Sequence, residues 1–284
     1  MKRYRIISFD FDSRADMLEK APESASPEYF EMHESNRKSV IDDLVKQYGV
    51  NNSDIKVANF KALGNLQCSF YAFHNKFIRE VRNAYIIGSY YPALVGACAL
   101  GERLLNHLIL LLRDEYRLTP EYKRIYKKQS FDNWDIVLET LDAWNILQND
   151  VKEQFLDLKK LRNRSIHFNY DTEKNAIKDA LQGVKLIEKI VSKQFSFSAL
   201  KDWIFVHKGE IYIKGDSIDI PYIRLIVLPI SGRVGANHTV DFAGCKIVVS
   251  DPTAYEDRVI TDQEFIDLRE KHFSDKRDSS KAAK

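Results

Sequence analysis

Apolar positions recur at helical spacing through the middle of the chain and switch to strand-like runs near its end. Phe70, Phe73, Phe77, Val81 and Tyr85 fall three or four residues apart, the spacing of a helix with one buried face. Leu94, Cys98, Leu105, Leu108, Leu111 and Leu112 predict a second, longer helix. Trp134, Val137, Leu138, Leu141 and Trp144 predict a third, with Asp132 near its start. Phe155, Leu158, Leu161 and Phe168 mark a fourth. Ala180, Leu181, Val184, Ile187 and Val191 mark a fifth, with Asp171 or Thr172 as its cap. Short polar turns join these segments, so residues 66–197 are expected to form an antiparallel helical bundle.

The flanks read differently. Residues 1–65 begin with a strand-like YRIISFDF and pass through a Pro/Ser/Glu stretch. They continue as a helical pattern from Tyr29 to Gly49 and a short helix from an N-cap at Ser53 to Gly64. This segment is expected to be an N-terminal arm or subdomain. After Phe195, WIFVH and EIYIK flank Lys208-Gly209, a hairpin pattern, and YIRLIVLPI and CKIVVS read as further apolar strands. Residues 198–273 are therefore expected to be a small β-rich region closed by a short helix near Asp262 to His272. Residues 274–284, rich in Ser, Lys and Asp, are expected to be a disordered tail. The fold class is mainly α.

Composition changes this picture only at the margins. With 44% apolar and 30% charged residues the chain reads as globular, and a net charge of +2 confines any nucleic-acid site to a local patch. Cys68, Cys98 and Cys245 are far apart and without metal-ligand spacing, which fits a reducing cytoplasm and implies no cofactor. The charged start of the chain does not read as a signal peptide. Glu102, Arg103, Asn106 and His107 interrupt the most apolar window, residues 93–112, so it reads as a buried helix and no membrane partner is expected. Asp10-Phe11-Asp12 resembles the DxD of HAD-type phosphatases, but the helices that follow lack the parallel continuation of that fold. An acidic edge strand is the simpler reading.

The chemistry-bearing stretch is Lys159-Lys160-Leu161-Arg162-Asn163-Arg164-Ser165-Ile166-His167-Phe168. Metal-free RNA cleavage requires the ribose 2′-OH to attack the neighbouring phosphorus. A group titrating near neutrality must move protons, and a fixed cation must meet the charge on the phosphorane. His167 suits the first role and Arg162 the second. Asn163 and His167 are four apart, on one helical face, so the amide can orient the imidazole or hold a phosphate oxygen. Arg162 and His167 lie about 140° apart around a helix, so a second subunit is a natural source of the missing partner. Lys159, Lys160 and Arg164 add positive charge for RNA, although a solvated helix face is the plainer reading of any one lysine.

This stretch resembles the ribonuclease motif of HEPN domains: Arg, a polar residue, three more residues, then His. Arg162, Asn163 and His167 match it. The resemblance covers about 120 residues of the bundle and leaves both flanks outside it. It implies a four- or five-helix bundle that dimerises and cuts RNA without metal, with a toxin or phage-defence role. HEPN domains often add a polar residue from another helix, so Glu102, Arg103 or Asn106 could support the site. A structural Glu–Arg network is an equal reading of these residues. Arg233-Val-Gly-Ala-Asn-His238 also fits Arg-x4-His, but Val follows its Arg and glycines surround it, so it reads as coincidence. The expectation is a cytoplasmic, homodimeric, metal-independent endoribonuclease acting on RNA, open to a neutralising or activating protein partner. The alternative is a non-catalytic HEPN module that dimerises and binds a nucleotide or partner.

Overall fold

The computed structural model describes residues 1–70, 72–166, 170–243 and 246–282. The chain opens with two strands, β1 (Lys2–Ile6) and β2 (Asp10–Asp12). Helices α1 (Pro27–Tyr48) and α2 (Ser53–Leu63) follow, and then strand β3 (Leu66–Ser69). Next come α3 (Ala72–Ile86), α4 (Tyr90–Leu112), α5 (Tyr122–Ile125), α6 (Trp134–Ala143), α7 (Val151–Ile166) and α8 (Tyr170–Gln194). The last part holds β4 (Ile204–His207), β5 (Glu210–Ile213), β6 (Ser231–Gly235), β7 (Thr239–Ala243), β8 (Lys246–Ser250) and α9 (Asp262–Ala282). Helix predominates, as the spacing of apolar residues predicts.

Two compact units emerge, one of residues 10–199 and one of residues 1–9 with 200–284. The N-terminal segment to residue 65 is thus not one arm. Its first strand joins the C-terminal sheet and the remainder belongs to the helical unit.

In the helical unit, α4 is the central element, packed on α3, α6, α7 and α8. It buries Ala93, Leu94, Ala97, Cys98, Leu100, Gly101, Leu104, Leu105, Leu108, Ile109 and Leu112. Each large apolar side chain removed from water stabilises the unit by about 1.5–3 kcal/mol. Close approach depends on glycine. A Cβ on Gly101 would stand 2.7 Å from Leu158 Cδ2 and 2.9 Å from the Trp134 ring. By length and composition α4, continued to Tyr116, is apolar enough to cross a membrane, and half of that window is buried inside the protein.

The ends of the helices show how the chain is punctuated. Ser26 Oγ accepts the Tyr29 N–H and Pro27 opens α1, which stops at Gly49 with φ +83°. Asn133 caps α6 by accepting the Asp135 N–H, and Asp132 lies just before it, near the start of the helix as expected. α8 begins at Tyr170, so Asp171 and Thr172 lie inside its first turn instead of capping it. Leu66–Ser69, at the start of the segment read as helix, forms a strand that pairs antiparallel with β2. The acidic pair of β2 is engaged locally. Asp12 accepts from Arg14 at 2.8 Å and Asp10 from Arg79 at 2.7 Å.

In the other unit the sheet order is β4-β5-β1-β6, antiparallel throughout. Lys208 (φ 49°) and Gly209 (φ 79°) turn the β4–β5 hairpin, both left-handed as a tight hairpin requires. Tyr212, Val234, Ala236, Ile260 and Phe265 form its core. Thr261 and Glu264 close a reciprocal capping box on α9, with N–H to oxygen distances of 3.1 and 2.9 Å. The apolar run 222–230, expected as a strand, is instead a π-helical turn over Ile223–Val227 and a 3-10 turn over Leu228–Ile230. Its buried residues, Tyr222, Ile223, Ile226 and Val227, follow a helical spacing and do not alternate. α9 runs on to Ala282, through residues expected to be a disordered tail. That segment contains no Gly or Pro to stop a helix.

Candidate functional site

Arg162 lies just before the last turn of α7 and Glu102 near the middle of α4. Their side chains meet: Arg162 Nη2 stands 2.9 Å from Glu102 Oε2. The same carboxylate oxygen accepts the Trp134 indole N–H at 3.3 Å, and the guanidinium carbon lies 5.7 Å from the centre of that ring. The Arg162 side chain keeps 25% of its surface exposed. It is thus held by Glu102 and the Trp134 ring and stays partly open to solvent.

The neighbours sort themselves by the period of their helices. Asn163 is exposed. Ser165 is buried, and its hydroxyl donates to the Arg162 carbonyl at 3.2 Å. It also bonds Cys98, whose thiol burial pushes up to about 12, which makes that cysteine an inert core group. Arg103, one residue past Glu102, turns toward α3, with its guanidinium 4.9 Å from the Phe77 ring centre. Asn106 brackets the Phe131 backbone, donating to its carbonyl at 2.9 Å and accepting its N–H at 2.7 Å. Of the three polar residues weighed as supports, Glu102 reaches Arg162 while Arg103 and Asn106 are used elsewhere.

The cations expected to hold RNA all carry carboxylate partners. Lys159 pairs with Asp135 at 2.5 Å, Lys160 with Asp157 at 2.8 Å and Arg164 with Asp179 at 2.6 Å. Asp179 is buried, so the Arg164 contact ties α7 to α8, whereas the exposed Lys160 pair yields readily to a phosphate. His167, the proton-moving residue of the motif, lies outside the described residues, as does Phe168. Trp134 is the residue that the sequence does not offer. Its spacing assigns it to the core, and nothing in the pattern shows that its N–H turns to Glu102.

Two other histidine groups are built differently. His74 and His107 face each other at 3.0 Å between α3 and α4. Burial, then His107 and Arg103, hold His74 down to about 3. His238, of the second Arg-x4-His match, is fully buried in the β-rich unit. Its Nδ1 bonds the Gly235 carbonyl at 2.7 Å and its Nε2 meets Arg5 at 2.6 Å, so it serves the fold. Among the described residues, no three His, Cys, Asp or Glu side chains gather as a metal-ligand set. No family model, curated protein or solved structure matches the chain, so its functional reading rests on these residues.

Proposed function

We propose that the chain is a metal-independent endoribonuclease of HEPN type, acting in the cytoplasm as a homodimer in toxin or phage-defence biology. The observation that carries this reading is Arg162, held by Glu102 and Trp134 near the C-terminal end of α7 while a quarter of its side chain stays open. In the proposed reaction the 2′-OH attacks phosphorus and the 5′-oxygen leaves. His167 moves the proton, Arg162 meets the charge gathering on the phosphorane, and Asn163 orients the imidazole or a phosphate oxygen. The products are a 2′,3′-cyclic phosphate and a free 5′-hydroxyl. Helical period separates Arg162 from His167, and a second copy of the motif supplies the complementary group. A neutralising or activating protein partner fits such a role.

Incubating the purified chain with RNA in EDTA tests this. Cleavage with cyclic phosphate ends is expected, and His167→Ala should slow it about 10²–10⁴-fold without changing the circular dichroism spectrum. Wild-type turnover in the variant removes His167 from the chemistry, and activity that needs added metal defeats the mechanism.

A second reading has one observation in its favour. Lys159, Lys160, Arg162 and Arg164 are each matched by a carboxylate, which suits a bundle that dimerises and binds a nucleotide or a partner without cutting. RNA left intact by the wild-type chain would favour it.

A further inference from the structure

Helix α8 is kinked at Asn175, and beyond the kink it carries Lys178, Lys185, Lys189 and Lys193 at intervals of four or seven residues that return to one side of a helix. The first three are exposed. The acidic residues of the same stretch point the other way. Asp179 is buried against Arg164 of α7, and Glu188 is buried against Arg82 of α3. Beyond Asn175, α8 thus turns Asp179 and Glu188 to the bundle and its lysines outward. Lys193 pairs with Asp150 at 2.9 Å. Among the described residues, Lys178, Lys185 and Lys189 have no carboxylate within ion-pair reach, unlike the lysines beside the motif.

The surface along these lysines is shallow. Lys178, Leu181, Gln182, Lys185, Leu186 and Lys189, all of α8, line an open surface depression of about 400 Å³. Lys178, Lys185 and Lys189 form its central stripe, and Leu181 and Leu186, five residues apart and so about 140° from each other around the helix, lie on its two flanks. From Lys178 to Lys189 the face extends about 16 Å at the helical rise. Its start is tied to the motif, because Asp179, next to Lys178, holds Arg164.

We propose that the outward face of α8 from Lys178 to Lys189 is a track for single-stranded RNA, with phosphates on the lysines and splayed bases laid on Leu181 or Leu186 at its flanks. Unpaired cations in a row suit a polyanion, and apolar side chains beside them suit a nucleobase, the combination that binds single strands. A duplex keeps its bases stacked inside and would leave the leucines uncovered. An anionic bilayer needs a contiguous apolar face, whereas here lysines hold the crest and the two leucines lie apart on its flanks. The proposal rests on the ribonuclease reading for the choice of RNA as the strand.

The test measures fluorescence anisotropy of a labelled oligouridylate with the full chain carrying His167→Ala, which slows turnover. Adding Lys178→Gln, Lys185→Gln and Lys189→Gln should weaken binding at least about tenfold. It should also flatten the slope of log affinity against log salt by about 2, since each phosphate contact on a single strand contributes about 0.7. The same charge change at Lys123, Lys127 and Lys128 should leave both unchanged. Unaltered binding in the α8 variant, equal loss in the control, or binding to phosphatidylserine vesicles but not to the oligouridylate would each overturn the track. Full cleavage by the wild type with no effect of the α8 changes defeats the track and spares the nuclease. Binding through α8 with no cleavage by the wild type supports the track and defeats the nuclease.

Discussion

At the scale of single residues, this chain uses buried charge in two ways. Arg162 and Glu102 stay partly open, so their attraction is moderated by water. Arg269, Glu210, Arg5 and His238 form a closed network in the β-rich unit. Arg269 reaches both oxygens of Glu210, at 3.0 and 2.7 Å, and the carbonyls of Ala236 and His238. Burial opposes ionisation of Glu210, but hydrogen bonds from Arg269 and Tyr212 outweigh it and hold its carboxyl below the usual range. His238 is held down to about 4, first by burial and then by Arg269 and Arg5, while the Gly235 carbonyl and Glu210 act in the opposite sense. Its ordinary value in an unfolded chain is about 6.5, so the unfolded state binds the proton first as pH falls. The stability that neutral His238 contributes is complete above pH 6.5 and is lost progressively as pH falls toward 4. Urea midpoints measured across that range should therefore fall more steeply for the wild type than for His238→Gln, which cannot take up the proton. Equal slopes would show that this imidazole does not sense acid.

At the scale of elements, α4 organises the helical unit because small residues let its neighbours approach. Alanine at a helical glycine gains about 1 kcal/mol of intrinsic propensity where space allows. At Gly101 the new methyl would meet Leu158 and the Trp134 ring inside contact distance, and overpacking of this kind costs about 1–3 kcal/mol. Gly101→Ala should lower the urea midpoint and perturb tryptophan fluorescence; a raised midpoint would mean that α6 and α7 yield freely. The helices were legible in the sequence because each buries one stripe, and Arg162 and Asn163 stand out as candidates because their spacing matches a motif. Choosing Glu102 over Arg103 was not legible. The two differ by one residue, about 100° of helix, and only the positions of α3 and α7 decide which one meets the arginine. The turn at 222–230 escaped for a similar reason. A short apolar run suits a buried strand or a buried helical turn equally until its neighbours are known.

At the scale of the whole molecule, the chain leaves the β-rich unit after Phe9 and re-enters it at Leu200, so the helical unit is continuous and the β-rich unit is not. Hydropathy could not reveal this, since Arg5 and its partner Glu210 are 205 residues apart and a local pattern carries no record of pairing at that range. β1 is an interior strand, paired with β5 on one side and β6 on the other. It also supplies Arg3, whose Nε donates to Asp262 at 2.6 Å, and Arg5, which donates to Glu210 at 2.8 Å. Removing it would expose two unpaired strand edges and leave the carboxylate of Asp262 without its arginine. Residues 10–199, expressed alone, should therefore unfold in one cooperative thermal transition. Residues 200–284 should not fold, and adding a peptide of residues 1–9 should restore strand content and slow amide exchange in β5 and β6. The peptide with Arg3→Ala and Arg5→Ala should complement less well, because it restores the backbone ladder without the two ion pairs. Cooperative folding of residues 200–284 without the peptide would mean that β1 is dispensable, and an unfolded 10–199 fragment would mean that the helical core does not stand without the rest of the chain.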